Sequence, residues 1–92
     1  MQQDFAESRA LSLLAWLAAQ EELLPSFMVN TGVGEADLRQ RAGDPDFLAS
    51  VLDFLLMDDA WVLEAAAGTG IRAEDFAAIR AALPGGAMMH WT

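Results

Sequence analysis

Cysteine is missing from this 92-residue chain, which excludes disulfides, thiolate zinc sites and a cysteine nucleophile, and is compatible with a reducing, cytoplasmic setting. Lysine and tyrosine are missing too, so the basic charge rests on five arginines against fourteen carboxylates, a formal net charge of -9. A chain this acidic repels phosphates and anionic headgroups, which makes nucleic acid and membrane surfaces poor partners and leaves basic or neutral protein surfaces as the better fit. Histidine occurs once, at His90, with no serine and carboxylate grouped to orient it as a base. No catalytic signature emerges, and the chain is expected to be neither an enzyme nor dependent on a cofactor. Long apolar runs are lacking as well: none approaches the roughly 20 residues of a membrane span. The segment from Arg9 through Ala19 imitates a signal-peptide apolar region, but Asp4 and Glu7 stand where a cationic start is required.

What is present is 54% apolar residues, many of them Ala and Leu, which form helices readily and let helices approach closely. A domain of this size buries only about 60 to 65% of its extended-chain surface, so that excess supplies the core. A homodimer would make it easier to bury.

The chain also contains one segment written twice. Sliding it along itself without a gap lays Thr31-Gly32-Val33 on Thr69-Gly70-Ile71 and Asp37-Leu38 on Asp75-Phe76. In the same register Ser12, Leu13, Leu14, Trp16 and Leu17 fall on Ser50, Val51, Leu52, Phe54 and Leu55, and Glu21 and Leu24 on Asp59 and Val62. Self-similarity of this kind predicts two copies of one helical unit, about 10–42 and 48–83, within a single domain over 1–86, followed by a tail over 87–92.

Periodicity predicts an all-α fold of five or six short helices, two similar three-helix units packed as one compact bundle. Ala10, Leu13, Leu14 and Leu17, flanked by Leu11 and Ala18, give a helix over Phe5–Gln20 its apolar stripe, with Ser8 and Ser12 opposite. Pro25 forbids a continuous helix through it but is tolerated in the first turn of a second helix that starts near Glu22. That helix is expected to bury Leu23, Leu24, Phe27 and Met28. Gly32 and Gly70 read as left-handed helix ends, with Val33 and Ile71 packing back in a Schellman arrangement. Glu35 and Asp37, and then Glu74 and Asp75, favour the positive start of the next helix. Glu35 with Arg39 and Asp37 with Arg41 are spaced for local ion pairs. Asp44 suits an N-cap and Pro45 the first helical position. Phe47, Leu48, Val51, Leu52, Leu55 and Leu56 mark a central fourth helix over Pro45–Leu56. A fifth helix starts at Asp58 or Asp59 and runs through Ala67, and a sixth covers Ala73–Leu83, stopped by Pro84-Gly85-Gly86.

The segments 24–42 and 62–83 have the outline of a helix-turn-helix. The start of each second helix, which would meet DNA, is acidic, and only Arg39, Arg41, Arg72 and Arg80 could reach phosphates. The turns therefore read as structural. Asp44, Asp46, Asp53, Asp58 and Asp59 do not form the Gly-containing oxygen loop that calcium needs; they read as caps and solvated positions. Trp16 and Trp61 match apolar repeat positions and read as core or core edge, either of them able to edge a groove between the two units. The tail residues Met88, Met89 and Trp91 are adaptable apolar groups that either fold back on the domain or contact a partner.

The runs Thr31-Gly32-Val33, Asp37-Leu38-Arg39, Ala42-Gly43-Asp44-Pro45-Asp46-Phe47-Leu48 and Val51-Leu52-Asp53-Phe54-Leu55-Leu56-Met57-Asp58 resemble a family of short alphaproteobacterial proteins known only as a domain of unknown function. The likeness spans about Ala10 to Gly86. It implies a small, cytosolic, all-helical bacterial protein and carries over no activity and no site. The expected function is a non-catalytic protein-binding module, an adaptor or regulator, with Trp16, Trp61, Met88, Met89 and Trp91 as candidate contacts. The alternatives are a helix-turn-helix-like nucleic-acid regulator, disfavoured by charge, and a carrier with a small-molecule or lipid cavity between the units.

Overall fold

Asp44 and Asp58 each place a carboxylate oxygen where the free N–H groups of a new helix need an acceptor. Asp44 Oδ1 accepts from the Asp46 N–H at 3.0 Å and Asp58 Oδ1 from the Ala60 N–H at 2.8 Å. These caps start two of the six α-helices in the computed structural model, which describes residues 1–84. The helices are α1 (Gln3–Ala18), α2 (Leu23–Thr31), α3 (Glu35–Gln40), α4 (Pro45–Leu55), α5 (Asp59–Thr69) and α6 (Phe76–Ala82). The expected sixth helix opens with a 3₁₀ turn over Ala73–Asp75 before α6. The described residues contain no strand, and the fold is all-α.

Pro25 is the third residue of α2, where its missing N–H removes no helical bond. At the other end, Gly32 and Gly70 adopt φ of 76° and 79°, the left-handed region that costs glycine no Cβ clash. Each donates its own N–H to the carbonyl four residues back, Met28 at 2.8 Å and Ala66 at 2.9 Å. This is the simpler one-bond left-handed ending, which takes the place of the expected Schellman pair. Thr31 and Thr69 add a hydroxyl bond to the carbonyls of Phe27 and Ala65, at 2.8 and 2.7 Å. The hydrophobes that follow, Val33 and Ile71, are buried.

Residues from Ala6 to Leu83 share one core cluster, with α1 packed chiefly on α4, and α5 and α6 closing around that pair. Ala6, Ala10, Leu13, Leu14 and Leu17 form the buried stripe of α1, whereas the flanking Leu11 and Ala18 are exposed. At about 100° per residue those two side chains point roughly 90° or more away from the stripe's centre. On α4 the expected Phe47, Leu48, Val51, Leu52 and Leu55 are buried, and Ala49 and Phe54 join them. Only Asp46, Ser50 and Asp53 leave a polar strip on that helix, and Asp53 takes the Arg80 guanidinium of α6 at 2.6 Å. Phe27, the only fully buried side chain of α2, meets Phe47 and Phe54 edge-on, with centroids 5.9 and 5.3 Å apart. The remaining α2 hydrophobes expected inside, Leu23, Leu24 and Met28, are half-buried.

The anticipated ion pairs of α3 do not form. Asp37 turns back to accept the Gly34 N–H at 3.1 Å, half of a capping box whose other half glycine cannot supply. Arg41 lies over the Phe47 ring, 5.1 Å from its centroid, with Asp44 4.0 Å away. No ion pair joins Glu35 to Arg39 among the described residues. A cap satisfies an otherwise unpaired backbone donor, and that outweighs an exposed i,i+4 pair worth about 0.3 to 0.5 kcal/mol.

Candidate functional site

Trp16 and Trp61 occupy separate junctions. Trp16, half-buried on α1, lays its indole on Gly68 of α5: a Cβ at Gly68 would fall on Nε1 and Cδ1, with Cε2 3.3 Å away. Glycine inside a helix costs about 1 kcal/mol relative to alanine, so Gly68 is a notch that admits the indole. Trp61, at the start of α5, stacks on Phe54 of α4 with centroids 4.6 Å apart and planes at 19°. Both rings seal helix junctions and pack against the core. The other candidate contacts, Met88, Met89 and Trp91, lie outside the described residues, as does His90.

A different apolar surface lies between α5 and the 3₁₀ turn with α6. It is an open cleft of about 480 Å³ lined by Leu56, Asp59, Val62, Leu63, Ala73, Glu74 and Ala77. Leu56, the residue that ends α4, lies at the cleft just before the Asp58 cap that starts α5. One wall carries Asp59 and Leu63, the other Ala73, Glu74 and Ala77, and the buried Val62 forms the floor. Leu56 is 38% exposed, Leu63 64% and the adjoining Met57 63%. Five of the seven lining residues are apolar and the two charged ones are both carboxylates. Glu74 also holds Arg72 at 2.8 Å, a pair largely in solvent.

Leu56 belongs to the stripe expected inside, and its exposure corrects that expectation. Leu63 carries no mark of a site by itself. The signal lies in comparing the repeated segments: the register that pairs Thr31 with Thr69 puts Ala18, Pro25, Glu35 and Arg39 opposite Leu56, Leu63, Ala73 and Ala77. The first segment is polar or small where the second is apolar, so packing of the unit does not require those hydrophobes.

Other surfaces offer less. The depression along α2 is lined by Pro25, Ser26, Val29 and Asn30, all from one helix, and has no second wall. The carboxylates considered as a metal site serve as caps at Asp44 and Asp58 and as an ion-pair partner at Asp53. No group of three metal-ligating side chains occurs among the described residues. Of the arginines that could reach phosphates, Arg41 covers Phe47, Arg72 pairs with Glu74 and Arg80 pairs with Asp53. No helix among the described residues is long and apolar enough to cross a membrane.

Among the described residues no polar or charged side chain is buried, so fold and surface together define an all-helical domain with an apolar core and an open, acid-edged cleft. The chain belongs to the family described as Protein of unknown function (DUF3572), which it matches over residues 3–86, seven residues further toward the N-terminus than the resemblance read from its motifs. Comparison with curated proteins and with solved structures found no match in either.

Proposed function

We propose that this chain is a non-catalytic protein-binding module of the cytoplasm, an adaptor or regulator that works without a cofactor and contacts its partner through the Leu56–Leu63 cleft. The observation that carries the reading is the exposure of Leu56 and Leu63 in a two-walled apolar cleft, with Met57 exposed beside Leu56, since exposed apolar side chains grouped at a cleft and edged by charged residues give another molecule a surface to bury. The absence of lysine, the shortage of arginine and the net charge of -9 weigh against a nucleic-acid regulator.

The test is affinity capture from lysate of the source cells, read by mass spectrometry, with three baits: the full chain, a Leu56→Ser/Leu63→Ser variant and a chain ending at Gly86. A protein retained by the full chain and lost by the double variant supports the cleft. Loss only with the shortened chain moves the contact to Met88, Met89 and Trp91. Equal retention by all three baits removes both surfaces from the proposal. A second copy of the chain as the captured species makes the module a homodimer.

A further inference from the structure

Resting on the protein-binding reading, we infer that the occupant of the cleft is a cationic amphipathic helix, with an apolar stripe flanked on both sides by Lys or Arg. Shape sets the first half of this inference. The cleft is bounded by α5 on one side and by the 3₁₀ turn with α6 on the other, and Ala73 and Ala77 on the second wall present small side chains. Small residues let a helical backbone approach closely, and Leu56, Val62 and Leu63 provide the apolar ground that side chains at i, i+3, i+4 and i+7 of a docked helix would cover. Charge sets the second half. Asp59 stands on one wall and Glu74, which holds Arg72, on the other, no cation is among the described residues that line the cleft, and the whole chain carries -9. A helix lying along the floor therefore meets a carboxylate on each flank, and cations on both edges of its apolar stripe complement them. The Arg72 side chain that holds Glu74 is 70% exposed, so an incoming cation can take its place at little cost. A second copy of this chain is a poor occupant, because its own Asp59 and Glu74 would face the same carboxylates.

The test uses the full chain and fluorescently labelled synthetic peptides that share one leucine stripe and differ only in the flanking residues, Lys, Gln or Glu, with binding read by anisotropy. The Lys peptide is expected to bind, the Glu peptide to fail, and the Gln peptide to fall between them. Leu63→Ser is expected to weaken the Lys peptide by about tenfold or more, while Val29→Ser, which changes a still more exposed hydrophobe on α2, leaves it unchanged. Asp59→Asn with Glu74→Gln should weaken it several-fold and flatten its salt dependence. Equal losses for Leu63→Ser and Val29→Ser, or no loss from the Asp59/Glu74 pair, overturn the inference. If the Gln and Glu peptides bind as well as the Lys peptide and all depend on Leu63, the cleft remains a protein site and only the cationic partner is refuted. If no peptide binds, or a Leu63-dependent dimer forms and excludes the peptides, the occupant is wrong; the capture experiment then decides the binding reading separately.

Discussion

Gly68 and Trp16 form the most demanding side-chain fit. Alanine at 68 gains about 1 kcal/mol of helix propensity, but its Cβ would occupy the position of the Trp16 indole, and overpacking costs about 1 to 3 kcal/mol. Gly68→Ala is therefore expected to lower the melting temperature, and the same change beside Trp16→Ala to raise it or leave it unchanged. Chemical denaturation of the four proteins in that cycle checks the sign, and additivity would refute the contact. Phe27 has its whole side chain in the core between Phe47 and Phe54, so Phe27→Ala should remove about 3 to 5 kcal/mol, which urea titration measures. For a domain stabilised by about 5 to 15 kcal/mol that is a large share. The site was least legible at this scale. Trp16 and Trp61 stand out as large aromatics, yet their environments depend on which residue of α5 or α4 lies beneath them, and adjacency in the chain does not supply that.

The helix boundaries were the most legible part of the fold, because caps act over two to four residues and need no tertiary partner. Asp44 with Pro45, Asp58, and the glycines at 32 and 70 can all be read from local chemistry. Removing the cap by Asp58→Ala should cost about 1 kcal/mol, seen as a lower urea midpoint with an unchanged slope. Gly70→Ala should cost a similar amount, about 1 kcal/mol or somewhat more, because an L-residue at φ 79° crowds its Cβ against the following carbonyl. One failure at this scale has a local cause. Asp37 has two local options, the Gly34 N–H and the Arg41 guanidinium, and spacing alone does not rank them. The backbone donor wins, and Arg41 goes to the Phe47 ring instead.

At the scale of the molecule, one core from Ala6 to Leu83 draws on both repeated segments, and the cleft is what that core leaves uncovered. Leu56→Ser with Leu63→Ser should hardly alter thermal stability, each change being worth about 0.5 kcal/mol or less at a surface position. Val51→Ser, with the same alternation of apolar and hydroxyl side chains but at a fully buried site, should cost several times more. A differential scanning measurement on the three proteins makes the comparison. If the cleft variant melts as early as the core variant, Leu56 and Leu63 are part of the packing and are not free to meet a partner.

By itself the sequence determined the helical class, the places where most helices start and stop, and nine of the twelve buried residues on α1 and α4, since hydrophobic periodicity and capping are properties of contiguous residues. It also determined the acidic character that any partner must accommodate. Only the tertiary structure decided that Leu56 and Leu63 stay outside while Ala49 and Phe54 go inside, and that Trp16 and Trp61 are helix seals. An apolar side chain is buried only when another element covers it. Which elements cover which faces depends on how α4, α5 and α6 pack on α1 and on one another, geometry fixed by the whole packed core.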